Sequence, residues 1–188
     1  MDLSDMDYRG VKIEHLPENV QQAVKLWQGN VLTSTGKQGL WVFGKRDTGT
    51  TYAAMVATGR LAFDEDGFFD TDHIEAVDLI ELVRASWQAA ASIRQYGEDF
   101  AVFTEAQKIQ DRLFHLFYDC KLLWVDDLHH DTIDWNIYRK NIQPYVERRV
   151  KHGMPTVVST TLPPVHDYLP GKVIENHFVL AYCGDGAR

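Results

Sequence analysis

Apolar residues recur at helical spacing through Leu16, Val20, Ala23, Val24, Trp27 and Val31, directly after Pro17, which predicts a helix opening at the proline. The ten residues ahead of it are polar and acidic and are expected to be poorly ordered. Lys37-Gln38-Gly39 then leads into a short apolar run, Leu40 to Phe43, a candidate strand. A Gly-bounded loop, 44 to 51, follows, and the Ala-rich run behind it predicts a helix over about 50–61. Beyond the acidic turn Asp64-Glu-Asp-Gly67, Phe68-Phe-Asp-Thr71 is expected as a second strand. A helix with Val77, Ile80, Val83 and Trp87 on one side comes next. After Tyr96-Gly97 the chain passes Phe100 to Phe103 into an amphipathic helix bearing Ile109, Leu113, Leu116 and Phe117. Lys121-Leu-Leu-Trp-Val-Asp-Asp127 is an apolar run of the kind buried in a parallel sheet, ending in two acids. A helix is expected over 133–152, bent or broken at Pro144. The β-branched run Pro155 to Thr161 is a fourth strand, stopped by Pro163-Pro164. A short helical stretch near 169–176 precedes the last strand, His177 to Tyr182. This alternation predicts an α/β fold: a parallel five-stranded sheet with helices on both faces and ligands at the strands' carboxyl ends.

Composition narrows the class without changing that picture. With 188 residues, the chain suits one domain with a substantial core and is short for two. No segment reaches the roughly 18 unbroken apolar residues of a membrane span. The N-terminus Met1-Asp-Leu-Ser-Asp carries acid where a signal peptide carries base, so a cytoplasmic protein without membrane contact is expected. Cys120 and Cys183 lie at the edges of predicted strands rather than in spaced pairs, and are read as buried thiols. The formal net charge of −8 opposes broad nonspecific affinity for nucleic acid. The one locally basic strip, Arg139, Lys140, Arg148, Arg149, Lys151 and His152, is a solvated helix face or a contact for single-stranded DNA.

The 44–51 loop carries the candidate chemistry. A tight glycine-bounded turn opening a helix points unpaired backbone amides at a common point, an arrangement that holds phosphate. Against the pattern GxxxxGK[ST], Gly44, Gly49 and Thr51 match, and Thr50 stands where lysine is required. That lysine contacts the β- and γ-phosphates. One unit charge at about 4 Å, with an effective dielectric near 20, is worth roughly 4 kcal/mol before desolvation. Asp47 adds repulsion unless its carboxylate turns outward. The amide cradle itself is independent of side chains, and Lys45 resembles the signature lysine of the deviant P-loops of partition-type ATPases, with Arg46 placed to assist. The candidate cradle is therefore Gly44, Lys45, Arg46, Asp47, Thr48, Gly49, Thr50 and Thr51.

Asp126 and Asp127 end the third predicted strand, and Ser159-Thr160-Thr161 ends the fourth, so both should converge on that loop. In a P-loop ATPase the first acid and the loop Ser or Thr hold Mg²⁺, here Asp126 and Thr51. Asp127 would then orient the attacking water. With these segments in view, the chain resembles the DnaC/IstB-like helicase-loader branch of the AAA+ ATPases, many of them encoded by phages. The resemblance rests on Gly39 to Ala57, Ala76-Val-Asp-Leu-Ile-Glu-Leu82, Leu122-Leu-Trp-Val-Asp-Asp-Leu128, and Val146-Glu-Arg-Arg149 followed by Gly153 to Pro164.

The resemblance implies an AAA+ (RecA-like) P-loop core over 36–188 behind an N-terminal extension and lead-in helix over 1–35, with no lid domain. It implies ATP or ADP with Mg²⁺ as ligands, and a replicative helicase or host helicase loader as partner, in the host cytoplasm if viral. Thr161 takes the place of the sensor asparagine that positions water. Lys172 and Asn176 stand where loaders carry arginines, so oligomerisation is not accompanied by an evident arginine finger. These departures favour nucleotide binding with weak or absent hydrolysis. The alternatives are an active ATPase using Lys45 as a relocated lysine, and a pseudo-ATPase interaction scaffold. Trp27 and Trp41 flank the loop and are candidates to touch an adenine base. His129-His130 with His115 and Cys120 fit no standard metal spacing.

Overall fold

The computed structural model describes residues 12–62, 71–96, 100–129, 133–164 and 171–184. A single 3₁₀ turn, Ile13–His15, leads to α1 (Glu18–Leu32). There follow β1 (Gly39–Phe43), α2 (Thr50–Ala62), β2 (Thr71–Glu75), α3 (Ala76–Tyr96) and α4 (Phe100–Phe114), which runs on as a π-helical turn, His115–Asp119. Next come β3 (Leu122–Leu128), a three-residue helix α5 (Trp135–Ile137) continued by a π turn (Tyr138–Ile142), α6 (Gln143–Lys151), β4 (Thr156–Thr160), α7 (Gly171–His177) and β5 (Phe178–Tyr182).

All five strands are parallel, in the order β2-β3-β4-β1-β5. The sheet divides the interior into two apolar layers. On one side α1 and α2 pack Val20, Val24, Trp27, Ala53, Ala57 and Leu61 against Leu40, Val42, Trp124 and Val157. The other side carries Leu79, Ile80, Val83, Leu116, Ile142 and Val146 over Trp41, Val125, Val158 and Phe178. Alternation along each strand produces this division: Leu40, Val42, Leu122 and Trp124 face one layer, Trp41, Leu123 and Val125 the other. The lead-in helix α1 is thus built into the same core as β1.

Three expectations shift, and one further feature was not anticipated. The second described strand is Thr71–Glu75, extending past the expected end at Thr71, and Phe68 to Asp70 lie outside the described residues, as does the acidic turn before them. On α3, Ile80 and Val83 are buried as expected, but Val77 and Trp87 are exposed, so the buried face is completed by Leu79 instead. The helix read over 133–152 is divided: a π turn widens the ladder at Tyr138–Ile142, and Pro144 falls in the first turn of α6. A proline is tolerated there because its missing N–H has no intrahelical partner to lose. Finally, β3 and β4 lose register between Val125 and Leu128, where three steps on β3 match two on β4. This bulge puts Asp127 at φ 55°, a left-handed conformation that aspartate tolerates better than most residues.

Candidate functional site

Gly44 to Thr51 connects β1 to α2, and its shape is set by contacts at both ends. The Cys183 amide donates to the Phe43 carbonyl (2.8 Å) and the Lys45 amide to the Gly184 carbonyl (3.2 Å), so the loop is tied to the chain leaving β5. A side chain at Gly44 would run into Thr48 Oγ1 and come within 3.2 Å of Cys183 Cβ and the Gly184 carbonyl. Thr48 closes the turn, donating through its amide (3.2 Å) and hydroxyl (2.7 Å) to the Lys45 carbonyl. Asp47 (φ 63°) and Gly49 (φ 84°) adopt left-handed conformations, which turn successive amides toward one side of the loop. Among the described residues, the amides of Arg46, Asp47, Gly49, Thr50 and Thr51 donate to no protein acceptor outside the helix. The side chains of Lys45, Arg46 and Asp47 are exposed, so the Asp47 carboxylate stands in solvent rather than buried in the turn.

Thr51, at the start of α2, donates its hydroxyl to Asp126 Oδ1 (3.2 Å) across 75 residues of chain. Asp126 is buried on the α2 side of β3. Its Oδ1 also accepts from the Ser159 hydroxyl, which in turn accepts from the Trp124 indole N–H (2.7 Å). His73, from β2, places Nε2 3.6 Å from Asp126 Oδ2, and both of its buried ring nitrogens lack a hydrogen-bond partner. Burial alone would raise the Asp126 carboxyl. The neighbouring His73 and the Ser159 hydroxyl more than offset that and hold it below the ordinary carboxylate range.

Asp127, lifted off the strand by the bulge, pairs with His129 Nε2, and His129 Nδ1 meets the Thr161 hydroxyl. The acid and the threonine picked out by sequence are thereby joined through a histidine. Sequence reasoning considered His129 only as a metal ligand and passed over His73. Alternation of Asp72, Ile74 and their neighbours was the available signal for β2, but two buried polar residues in five obscured it.

Several expected roles do not fit. Trp27 and Trp41 are fully buried, their indole N–H groups donating to the Gln38 and Leu162 carbonyls, so neither can stack on a base. Arg149, assigned to a DNA-facing strip, is 1 % exposed. It donates to the carbonyls of Leu116, Cys120 and Pro155 and to Thr156 Oγ1, a structural role that locks α6 to the start of β4. Arg139, Lys140, Arg148 and Lys151 remain exposed, with Lys151 paired to Glu147 (3.0 Å) and Arg148 lying over the Tyr118 ring. Lys172 and Asn176 are exposed on α7. His115 lies beside Asp72 and Cys120 Sγ donates to the Leu116 carbonyl, and among the described residues no three His, Cys, Asp or Glu side chains gather as metal ligands.

The amides of Arg46, Asp47, Gly49, Thr50 and Thr51, which donate to no protein acceptor outside the helix, fit a polyphosphate, and the Thr51 hydroxyl beside the Asp126 carboxylate is a donor set suited to a hard divalent cation such as Mg²⁺. Such an ion neutralises phosphate charge when bound. The cation normally supplied by the loop lysine is replaced by a neutral Thr50.

No protein-family model matches the chain, and no curated protein does either. Solved structures do match in fold. The crystal structure of the DnaC helicase loader superposes with a TM-score of 0.59 at 16 % identity, over 93 % of this chain and 98 % of that one. DnaI gives a TM-score of 0.61 at 15 % identity, covering 96 % and 89 %. AMPPCP-bound DnaA from Aquifex aeolicus gives 0.53 at 12 % identity, covering 92 % of this chain and 50 % of that one. The fold of this chain, a parallel five-stranded sheet flanked by helices, is accordingly similar to that of these solved structures.

Proposed function

We propose that this chain is a DnaC-like replicative helicase loader, or a loader-like replication accessory protein, with an atypical ATP-binding site and weak or absent hydrolysis. The observation that carries the reading is the Thr51 hydroxyl at 3.2 Å from Asp126, beside a loop in which the amides of Arg46, Asp47, Gly49, Thr50 and Thr51 donate to no protein acceptor outside the helix. The likeness to a structure described as a helicase loader, and to a DnaA that carries a nucleotide analogue, supports it. Gly44 to Thr51 bind the phosphates of ATP or ADP, Asp126 and Thr51 hold Mg²⁺, and Asp127 and Thr161 line the side where water approaches. The partner is a replicative helicase or another loader. Nucleotide acts by population shift, favouring the surface geometry that the partner binds better. Exposed Arg139, Lys140, Arg148 and Lys151 offer a limited contact to single-stranded DNA, with Arg149 excluded by burial. A phage origin and action in the host cytoplasm belong to the same reading.

Calorimetric titration with ATP and Mg²⁺ tests binding, and a phosphate-release assay tests turnover. If Thr50→Lys restores the missing charge to an intact cradle, ATP affinity should rise at least tenfold, about 1.4 kcal/mol or more of the gross Coulomb gain. An unchanged affinity would mean that the loop does not face phosphate. Lys45→Ala should lower affinity if Lys45 substitutes for the lost lysine, the exposed position of Lys45 on the loop favouring that role. Capture of a replicative helicase by the purified chain tests the partner.

A further inference from the structure

Phe43, Thr160 and Leu128 occupy one row across β1, β4 and β3. The residues that follow them, Gly44, Thr161 and His129, therefore leave three adjacent strands at the same level, with the candidate phosphate loop at one end of the row. At the other end, Thr161 Oγ1 meets His129 Nδ1 and His129 Nε2 meets Asp127 Oδ1. The His129 side chain is 18 % exposed and that of Asp127 54 %, so the group lies at the rim of the crevice rather than in the core.

The order of partners fixes the protons. A carboxylate only accepts, so in the neutral ring it keeps the single N–H on Nε2. Nδ1 is then an acceptor. Thr161 has one O–H, which it must donate to Nδ1, so toward any other group its oxygen can only accept. Without His129 the hydroxyl would rotate freely and offer donor or acceptor equally.

We propose that His129 is a positioning residue that fixes the Thr161 hydroxyl as an acceptor toward the terminal-phosphate end of a nucleotide held on 44–51, where it accepts a hydrogen bond from the water bound against that phosphate. This rests on the reading of 44–51 as a nucleotide cradle and deepens it, assigning the third phosphate, and not the second, to the group that Asp127, His129 and Thr161 form. The ligand is a nucleoside triphosphate with its associated water.

The test uses the full chain labelled with ¹⁵N-histidine and titrated with AMPPNP or ADP, each with Mg²⁺, with His129→Phe identifying the resonance. The ring should show the Nε2–H tautomer, and saturation with AMPPNP should move its nitrogen signals while ADP moves them much less. Thr161→Val should abolish that response while AMPPNP still binds. In affinity measurements His129→Phe should weaken AMPPNP about fivefold and ADP by less than twofold, the effect of losing roughly one oriented hydrogen bond. His129→Asn, whose amide oxygen can accept from Thr161, should restore most of the difference. An Nδ1–H tautomer, an AMPPNP complex with an unmoved His129 signal, or equal loss of both nucleotides would overturn the assignment. A wild-type chain that binds neither nucleotide would overturn it together with the cradle, and that outcome is recognised by flat titrations of both ligands.

Discussion

Arg149 holds a positive charge in the interior with no carboxylate against it among the described residues. Burial lowers its affinity for the proton, and the neighbouring Cys120 opposes that only in part. What sustains the charge is its guanidinium fork, which reaches three carbonyls and a hydroxyl at 3.0–3.2 Å. Arg149→Met would remove the charge but strand those acceptors, so a loss on the order of 3 kcal/mol in urea unfolding is expected. Arg149→Lys should recover little, because an ammonium cannot span the same fork. The thiols behave differently. Burial pushes Cys183 up to about 11 and Cys120 is fully buried. At pH 8 the thiolate fraction of Cys183 is therefore far below that of a free cysteine, and a disulfide reagent should label the native chain at least about tenfold more slowly than the urea-unfolded chain. As the pH rises toward 11 the native rate should climb. Equal rates at pH 8 would mean that the strand end around Cys183 opens readily.

The loop between β1 and α2 is the element on which the proposed function turns, and Gly44 is its tightest point. Gly44→Ala forces Thr48 away from the Lys45 carbonyl or β1 away from the Cys183-Gly184 segment. Nucleotide affinity is expected to fall by tenfold or more, while the unfolding free energy changes by only about 1 kcal/mol. A larger loss of stability with retained binding would contradict this account. The loop, β1, β3, β4 and β5 were legible in the sequence because each has a local signature: glycines at fixed offsets, or four to seven apolar residues in a row. β2 was not, since Asp72 and His73 are buried only through partners that arrive from Arg112, His115 and Asp126, far along the chain. The π turns at His115–Asp119 and Tyr138–Ile142 were equally hidden, because a single widened turn has no residue signature of its own. At the site, the glycine pattern singled out Thr51 and the acid-ended apolar run Asp126, which the structure brings into contact, whereas the link from Asp127 to Thr161 through His129 depends on a bulge that no spacing announces.

Across the whole molecule, β2 is an edge strand, and the α3–α4 pair is fastened to it by charge as well as by packing. Asp72, 5 % exposed at its side chain, takes both Nη groups of Arg112, with His115 Nε2 at 3.4 Å. Arg112→Met should cost about 2 kcal/mol, less than a fully enclosed pair because Arg112 is partly in water. Adding Asp72→Asn should return part of it, since the orphaned charge is then gone. Chemical denaturation of the two variants and the double variant measures the coupling. The five tryptophans are distributed over both layers of this architecture and its surface. Trp27 and Trp124 lie in the layer under α1 and α2, Trp41 in the opposite one, and Trp87 stands 48 % exposed on α3. Because the Trp124 indole N–H donates to the Ser159 hydroxyl that itself bonds Asp126, a change in charge at that carboxylate alters the polarity felt by a single buried fluorophore. Trp124 is thus expected to act as an optical gauge of the proposed cation site, read without any attached dye as a change in emission over a constant background from Trp27 and Trp41 once Trp87 and Trp135 are replaced by phenylalanine.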